Sequence, residues 1–373
     1  MGTRVIRVQD DSPQATDAAA EGARALRAGQ LVGFPTETVY GIAAMATHAD
    51  AMERLREIKS RPAKPFSVHL GRPEDAGRYV QPMPRLGRLL AKKAWPGPVT
   101  LVVPTGGRQA DEAIQKANLA EVLCWQGQIG LRCPEGNISR MMLSAVPDPV
   151  VAPSANLTGA PSPRTADDVL SGLDGRIDLL IDCGPTRYGT DSTIVAVNDA
   201  GWEVIREGVL DERAIKRLLH QTLLFVCSGN TCRSPIAASL ARRMLAQRLG
   251  CGVGDLRKHG FEVLSAGLHA SEGQRASPEA IEAAKEHGAD ISRHRTRKLT
   301  AELINASDMI FCMEDFQIAE VRRLAASTAG KVQRLEELGE IPDPVGAGSD
   351  AYRKTAERIE AALAAQLDKE LGL

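Results

Sequence analysis

Residues 223–235 decide the fold of the second half of the chain, and they read LLFVCSGNTCRSP. An apolar run ends at Cys227, a turn sequence follows at Gly229-Asn230, and a helical pattern begins at Pro235. Since Pro is favoured in the first turn of a helix, the order predicts a strand, a tight loop and a helix. Loop N–H groups then lie at the positive end of the helix, so the segment predicts a phosphate-binding loop.

Cys227 and Arg233 give this loop its chemistry. A guanidinium grips two phosphate oxygens in its planar fork, and the same field favours the thiolate form of Cys227, which attacks phosphorus. A Cys and an Arg at this spacing also occur by chance in structural roles, but the surrounding strand, turn and helix favour a site. The proton donor is expected at Asp343, between two prolines, although an isolated Asp-Pro pair is more typical of a turn.

Strands and helices alternate along this half of the chain. The predicted strands are 223–227, 261–265, 309–313 and 331–335, and the predicted helices are 235–249, 277–287 and one final helix. Such a series gives a parallel sheet with helices on both faces, and ligands bind at the carboxyl ends of its strands. One face of the final helix predicts core packing for Tyr352, Ala356, Ile359, Leu363 and Leu367.

The second half resembles the low-molecular-weight protein tyrosine phosphatases over residues 222–373. The resemblance rests on Cys227, Asn230, Cys232, Arg233, Ser234 and Pro235 in the loop, Ser265-Ala266-Gly267 at a strand end, and Asp343-Pro344. It implies a doubly wound, four-stranded parallel sheet and a phosphocysteine on Cys227. It also implies that Arg233 and the loop hold the phosphate and that Asp343 acts first as general acid and then as general base. The remaining loop positions support the site: Ser228, Gly229, Asn230, Thr231, Cys232 and Ser234. No metal or cofactor is implied.

Thr231 and Val345 bear on the substrate that this resemblance implies. Phosphotyrosine enzymes commonly carry an aliphatic residue in place of Thr231, whereas protein-arginine phosphatases of the same family carry a hydroxyl, which suits a guanidinium. Val345 departs from both patterns, so phosphoarginine is favoured and phosphotyrosine stays open. Cys232 is either a redox partner of Cys227, as in the family, or a small packed thiol. Arsenate reduction is not expected, because Cys312 stands alone where arsenate reductases have a further cysteine pair.

The first half of the chain mixes strands and helices and is punctuated by polar turns. The segment PTETVYG at 35–41 follows a strand, and KSRPAKP at 59–65 places three cations after a helix. A charge run at a helix end is usually a solvated surface. Together with APSAN at 152–156 and DST at 191–193, however, these groups suit a polyphosphate and a small zwitterion.

These segments are similar to the YrdC/TsaC family of threonylcarbamoyl-AMP synthases, across roughly residues 10–210. The resemblance implies a twisted mixed sheet with helices. It implies that L-threonine, bicarbonate and ATP become threonylcarbamoyl-AMP and pyrophosphate, in threonylcarbamoyladenosine biosynthesis for tRNA, with Mg²⁺ assisting. The positions that match threonine ligands are Thr38, His69, Arg132, Ala152 and Ser192. Those that match ATP ligands are Lys59, Arg61, Lys64, Ser154, Asn156, Ser162 and Arg206.

Two of these positions leave their role open, and one further position departs from the family pattern. His69 is also compatible with a satisfied core histidine. The loop at 61–65 is one residue shorter than in relatives, which leaves the placing of Lys64 open, and Gln128 stands where relatives often have Thr.

Composition sets the bounds on function. The chain has 373 residues, enough for two or three domains, and a net charge of -1 excludes a globally basic nucleic-acid binder. Its 43% hydrophobic residues form no run long enough for a bilayer, and no secretory signal is evident, so a cytoplasmic protein without membrane contact is expected. Seven cysteines without paired spacing indicate reduced thiols.

We therefore expect a bifunctional enzyme with a synthase domain at 1–210, a linker at 211–221 and a phosphatase domain at 222–373. Its partners are the small substrates and phosphorylated proteins, and tRNA or tRNA-modification proteins are left open. The alternative is a non-catalytic first domain that binds RNA or nucleotide and regulates the phosphatase.

Overall fold

Two sheets organise the chain in the computed structural model, which describes residues 2–60, 64–105, 119–325, 328 and 330–371. The chain divides between them into the units Met1–Leu218 and Leu219–Leu373. Most of the expected linker at 211–221 is helix Glu212–Leu219, and strand Gln221–Cys227 follows it. No helix among the described residues has the length and apolar character that a membrane crossing requires.

The first unit holds a sheet of mixed direction. Its described strands are β1 Arg4–Arg7, β2 Val32–Phe34, β3 Gly41–Met45, β4 Val68–His69, β5 Val99–Pro104, β6 Cys124–Trp125, β7 Gln128–Arg132, β8 Val150–Val151, β9 Leu179–Asp182, β10 Thr193–Asn198 and β11 Gly201–Arg206. Their order is β1-β9-β2-β3-β8-β4-β7-β5-β10-β11, with β6 beside β7. The expected mixed sheet with helices is confirmed.

Helices cover this sheet where apolar residues recur on one face. The described helices are α1 Ala15–Arg27, α2 Ala49–Ile58, α3 Arg85–Ala94, α4 Ala120–Leu123, α5 Asn137–Ser144, α6 Ala166–Leu173 and α7 Glu212–Leu219. Helix α2 buries Met52, Leu55 and Ile58, as its spacing predicts. The sequence of residues 189–197 predicts a strand over that whole segment, but β10 begins only at Thr193, because Gly189 has a φ of 59°, which is outside the strand region.

The second unit is built on a four-stranded parallel sheet in the order β13-β12-β14-β15. These strands are β12 Gln221–Cys227, β13 Phe261–Gly267, β14 Met309–Cys312 and β15 Val332–Arg334, all close to the predicted bounds. The described helices are α8 Arg233–Leu249, α9 Pro278–Glu286, α10 Ala301–Ala306, α11 Asp315–Leu324 and α12 Ser349–Gln366.

Strand β12 separates two apolar cores. Leu223 and Phe225 lie in the core that α8, α9 and α12 cover, whereas Leu224 and Val226 lie in the core covered by α10 and α11. Since successive side chains of a strand point to opposite faces, helices pack on both sides of the sheet. The doubly wound fold is thereby confirmed. The predicted stripe of α12 is confirmed too, because all five of its residues are buried.

Candidate functional sites

The loop between β12 and α8 wraps around the Cys227 sulfur. Asn230 N donates to Cys227 Sγ at 3.2 Å, and Ser234 Oγ lies 3.0 Å from the same sulfur. Asn230 Nδ2 donates to Ser234 Oγ at 2.8 Å, and Asn230 is fully buried with a φ of 57°. Asn tolerates this left-handed conformation better than most residues, which explains its place at the sharpest point of the loop.

Arg233 is almost fully buried and is held by two carboxylates. Its Nη1 donates to Glu314 Oε2 at 2.5 Å and to the Ile341 carbonyl at 2.9 Å, and its Nη2 donates to Asp343 Oδ2 at 2.5 Å. The structure thus brings Cys227 and Arg233 of the loop together with Asp343 from a distant segment. The Asp343 side chain is 39% exposed, so it lies at the mouth of the site.

The protonation of Cys227 is set by opposing influences. Burial raises the pKa of the Cys227 thiol, and the hydrogen bonds from Ser234 and Asn230, together with the Arg233 charge, act to lower that pKa. Burial outweighs them in the net direction of the shift, although the Arg233 charge acts as the sequence predicts and favours the thiolate. Glu314 and Asp343 offset part of that charge, because both carboxylates pair with Arg233.

The other predicted loop residues surround this centre. Ser228 Oγ accepts from Arg233 Nη2 at 3.4 Å, and Thr231 is partly exposed with its hydroxyl 3.3 Å from Cys232 Sγ. Cys232 is buried, and its sulfur lies 3.7 Å from Ser277 Oγ and 3.7 Å from Tyr352 Oη. None of the seven cysteines forms a disulfide bond with a described residue. Burial raises the pKa of Cys312 to about 12.

Sequence reasoning missed Glu314 and Gln317 in this site. Gln317 is fully buried; its Nε2 donates to Glu314 Oε2 at 2.9 Å, and its Oε1 accepts from Met313 N at 2.9 Å. The amide therefore fixes the carboxylate that holds Arg233. A capping pattern of Glu314 and Gln317 at the start of α11 is the signal that could have drawn attention to the pair.

A cavity of about 350 Å³ in the first unit collects most of the residues predicted to bind ATP and threonine. It lies where β4, β7, β10 and β11 begin or end, so side chains at the ends of neighbouring strands line the same cavity. The predicted residues that line it are Lys59, His69, Arg132, Ala152, Ser154, Asn156, Ser162, Ser192 and Arg206. Thr100 and Asp191 line it as well; neither was assigned to a ligand, although Asp191 begins the DST segment.

Lys59 is buried at one side of this cavity, where oxygens surround its ammonium group. Its Nζ donates to the Asn156 carbonyl at 2.7 Å, to Asn156 Oδ1 at 2.8 Å and to the Ser154 carbonyl at 3.0 Å. Ser154 Oγ donates to Asn156 Oδ1 at 2.7 Å. Lys64, in contrast, is exposed and does not line the cavity, and Arg61 lies outside the described residues.

Arg132 is buried at another side of the cavity and is anchored through one nitrogen. Its Nη2 donates to Thr38 Oγ1 at 2.7 Å and forms an ion pair with Glu37 Oε1 at 2.8 Å. Its buried Nε has no hydrogen-bond partner among the described residues. Such an atom is costly to leave unpaired, so the guanidinium retains a donor for an anionic ligand. Glu37, which also accepts from Glu135 N at 2.9 Å, was not among the predicted site residues.

His69 stays neutral beside Arg132. Burial and the Arg132 charge lower the pKa of His69 to about 3. Its Nδ1 lies 3.3 Å from the Ser67 carbonyl, and a neutral ring bonded in that way donates through Nδ1. Its Nε2 is then an acceptor.

The far side of the cavity is a polar network around Asp191. Ser162 Oγ donates to Asp191 Oδ1 at 2.9 Å, and Arg206 Nη1 lies 3.5 Å from Asp191 Oδ2. Arg206 Nη2 also donates to the Ser192 carbonyl at 2.7 Å, and Ser192 Oγ lies 2.9 Å from Thr100 Oγ1. Hydroxyl and cationic groups thus converge on one space.

Comparison with known proteins separates the two units. Residues 24–208 match the Sua5/YciO/YrdC family, described as telomere recombination, and residues 222–372 match low molecular weight phosphotyrosine protein phosphatase. The putative threonylcarbamoyl-AMP synthase of Mycobacterium tuberculosis is 32% identical over 52% of this chain and 86% of its own length. The probable low molecular weight protein-tyrosine-phosphatase EpsP of Ralstonia solanacearum is 39% identical over 39% of this chain and 87% of its own length.

The chain belongs to both families. The Sua5/YrdC half is also 34% identical to the threonylcarbamoyl-AMP synthase of Pyrococcus abyssi, over 52% of this chain and 55% of that relative, so the chain spans about half the length of that protein. A crystal structure of Pyrococcus abyssi Sua5 complexed with L-threonine shares the fold, with a TM-score of 0.51 at 23% identity, covering 71% of this chain and 92% of the other. The suspected resemblance to both families is confirmed.

Proposed function

We propose that the Sua5/YrdC unit condenses L-threonine, bicarbonate and ATP into threonylcarbamoyl-AMP and pyrophosphate. The observation that carries this proposal is the pair of buried cations in one cavity. Arg132 keeps an unpartnered Nε, which suits the threonine carboxylate, and Lys59 is fixed beside Ser154 and Asn156, which suits a polyphosphate. Relatives of this half are named threonylcarbamoyl-AMP synthases, and one relative's structure contains L-threonine.

The chemistry follows from these positions. The threonine amine and bicarbonate form a carbamate with loss of water, and a carbamate oxygen then attacks the α-phosphorus while pyrophosphate leaves. Arg132 orients the threonine carboxylate, and Thr38 supports Arg132. Ala152 and Ser192 line the threonine end of the cavity. The Nε2 acceptor of His69 faces the threonine amine. Lys59, Ser154, Asn156, Ser162 and Arg206 hold the nucleotide and offset the charge that grows on pyrophosphate. Arg61 and Lys64 are assigned to ATP from the sequence alone.

Magnesium fits this site as a companion of ATP. In the described ranges no three His, Cys, Asp or Glu side chains cluster closely enough to cage a metal ion. Mg²⁺ commonly uses one or two carboxylates together with substrate phosphates, and Asp191 is the one carboxylate that lines the described cavity. When bound, the ion would neutralise phosphate charge.

The test is pyrophosphate release by the purified chain. We expect release only when ATP, threonine and bicarbonate are all present, and we expect Lys59→Ala to abolish it. Lys92→Ala, an exposed cation of α3, is the matched control. Well-folded protein that binds ATP or RNA without turnover would instead support the non-catalytic regulatory module.

We propose that the second unit is a cysteine-dependent protein phosphatase. The observation that carries this proposal is the convergence of Cys227, Arg233 and Asp343 on one loop. The Cys227 thiolate attacks phosphorus and forms an S–P bond, while Arg233 and the loop N–H groups hold the oxygens. Asp343 protonates the leaving group and then takes a proton from the water that cleaves the S–P bond. Ser234 donates to the thiolate, and Asn230 keeps the loop in shape.

Thr231 points to phosphoarginine as the preferred substrate. Its hydroxyl lies beside the loop and is partly exposed, so it can meet a polar guanidinium. The relatives of this half are named tyrosine phosphatases, and phosphotyrosine is the competing substrate. Thr231→Ile should shift the ratio of kcat/KM values toward phosphotyrosine, and an unchanged ratio would defeat the assignment. Cys227→Ser should abolish turnover of phosphoarginine and of phosphotyrosine alike. Cys251→Ser is the matched control.

A further inference from the structure

Residues 293–298 read RHRTRK and carry an exposed cationic strip, by which we mean Arg293, Arg295, Arg297 and Lys298. None of the four forms an ion pair with a described residue. Elsewhere in this unit arginines pair with acids, as Arg243 does with Glu360. Arg295 Nη1 donates to the His294 carbonyl at 2.9 Å, and the Lys298 backbone N donates to Glu272 Oε1 at 2.8 Å. Since no side chain of the four is paired with a carboxylate of the described residues, the strip forms a patch of positive potential.

The strip repels its own neighbours. Burial lowers the pKa of His294, and the charges of Arg242, Arg297 and Arg295 lower it further. The pKa of Arg242 is lowered by burial and by Arg297. Since clustered like charges destabilise one another, an anion bound at this surface would relieve the repulsion.

The strip is bonded to the phosphate loop. His294 Nε2 donates to the Asn230 carbonyl at 2.8 Å, and Arg297 N donates to Asn230 Oδ1 at 2.8 Å. Asn230 N in turn reaches Cys227 Sγ at 3.2 Å. Two hydrogen bonds through one residue thus connect the strip to the reactive sulfur.

A second segment, 269–277, fixes the strip from the side. His269 N donates to the Ser228 carbonyl at 2.9 Å, and Ser277 N donates to the Thr231 carbonyl at 3.1 Å. Between these points, Thr296 exchanges backbone hydrogen bonds with Gly273 and Gln274. Segment 269–277 is therefore hydrogen-bonded to both the strip and the phosphate loop.

We propose that the cationic strip docks an acidic segment of the phosphoprotein substrate, close to the phosphorylated residue. An extended peptide covers about 3.3 Å per residue, so acids a few positions from that residue can reach the strip. The attraction acts at long range and speeds association at low salt. An acidic peptide is favoured over RNA because the strip is bonded to the phosphatase loop. The inference rests on the proposed phosphatase function and adds a substrate class to it.

The test uses the full-length protein and three substrates: a phosphotyrosine peptide flanked by Glu, the same peptide flanked by Gln, and p-nitrophenyl phosphate. The variant carries Arg293→Gln, Arg295→Gln and Lys298→Gln. Its control carries Lys285→Gln, Arg322→Gln and Lys354→Gln, which remove exposed cations elsewhere in the unit. Arg297 is left unchanged, because its backbone braces Asn230.

We expect the wild type to prefer the acidic peptide by roughly tenfold in kcat/KM at low salt, through KM. The preference should vanish in the variant and at about 0.5 M salt, whereas the control keeps it. Turnover of p-nitrophenyl phosphate should stay unchanged. An equal loss on all three substrates, or a preference that survives the triple change, overturns the proposal.

Binding separates this inference from the proposed activity. Fluorescence anisotropy of an unphosphorylated acidic peptide with Cys227→Ser protein needs no turnover. Binding that the triple variant loses supports docking even if no substrate is hydrolysed, which would refute only the phosphatase. If the chain hydrolyses p-nitrophenyl phosphate but binds no acidic peptide, docking is refuted. The same measurement with an RNA oligonucleotide tests the competing ligand: docking is also refuted if the triple variant loses RNA binding and keeps peptide binding.

Discussion

The Arg233 guanidinium donates a hydrogen bond of 2.5 Å to Asp343, so the expected phosphate receptor is bound to the expected proton donor. Glu314 holds the other terminal nitrogen. An arriving phosphoryl group competes with Asp343 for Arg233, because both are anions that accept from the same guanidinium. Substrate binding is thereby coupled to the release of Asp343 from Arg233.

Asp343→Asn should lower kcat/KM, which reports the phosphoryl-transfer step, by about 100- to 10,000-fold on phenyl phosphate, because its poor leaving group needs a proton. The loss should be smaller on p-nitrophenyl phosphate, whose leaving group departs as an anion. Steady-state kinetics on both esters measure the difference, with exposed Asp350→Asn as the control. Equal losses on both esters would contradict the general-acid role.

Gly267→Ala should impair the phosphatase by distorting its loop. A Cβ at Gly267 would lie 2.8 Å from Asn230 N and 2.9 Å from the Ser228 carbonyl oxygen, closer than real contacts allow. Overpacking of this kind costs about 1–3 kcal/mol. We expect lower kcat/KM and a lower Tm for this unit. Gly254→Ala, whose Cβ meets nothing within 4 Å, should leave both unchanged.

Ser234→Ala should raise the pKa of Cys227. The hydrogen bond from Ser234 lowers that pKa, so its loss shifts the thiol further toward the protonated form. The rate of iodoacetamide alkylation, followed against pH, should move to higher pH. Ser239→Ala, in the same helix and bonded to the Asp290 carbonyl, is the control. An unshifted profile would show that the hydroxyl does not reach the thiolate.

His69 should make the Sua5/YrdC unit sensitive to mild acid. Its pKa is about 3 when folded against the ordinary 6.5, so the unfolded chain binds a proton that the folded chain does not. Stability from this residue is complete above pH 6.5 and is lost as pH falls from 6.5 toward 3. Melting curves at pH 7.5 and 5 should show a larger loss of Tm in wild type than in His69→Gln, with His48→Gln as control. Equal losses in wild type and His69→Gln would exclude His69 as the cause.

Glu37→Gln should raise KM for threonine more than KM for ATP. The carboxylate pairs with Arg132 at 2.8 Å, and both side chains are about 95% buried. Breaking a buried ion pair costs about 3–5 kcal/mol, so a lower Tm is expected as well. Glu135→Gln, which disrupts an exposed pair with Arg187, is the control. A uniform rise in both KM values would indicate general damage instead.

The phosphate loop could be predicted because it is local. Cys227, Asn230, Arg233 and Ser234 lie within eight consecutive positions, and the strand and helix around them follow from hydrophobic spacing. Arg132 and Lys59 needed the family resemblance, since their partners are far away in sequence.

The parts that could not be predicted depend on long-range pairing. Glu314 lies 81 residues from Arg233, and Glu37 lies 95 residues from Arg132, so no local spacing connects either pair. The weakened support for the Cys227 thiolate has the same origin, because it depends on two distant carboxylates. The start of β10 at Thr193 was missed because a glycine turn, rather than side-chain alternation, sets it.

The pairing of Arg233 with both Glu314 and Asp343 also affects which inhibitors suit this pocket. Because Glu314 stays on the guanidinium and a competitor displaces Asp343, the competitor has to carry more than the single charge of that carboxylate to gain electrostatic attraction. Doubly charged head groups such as phosphonates are therefore better suited to this pocket than sulfonates, which carry only one charge.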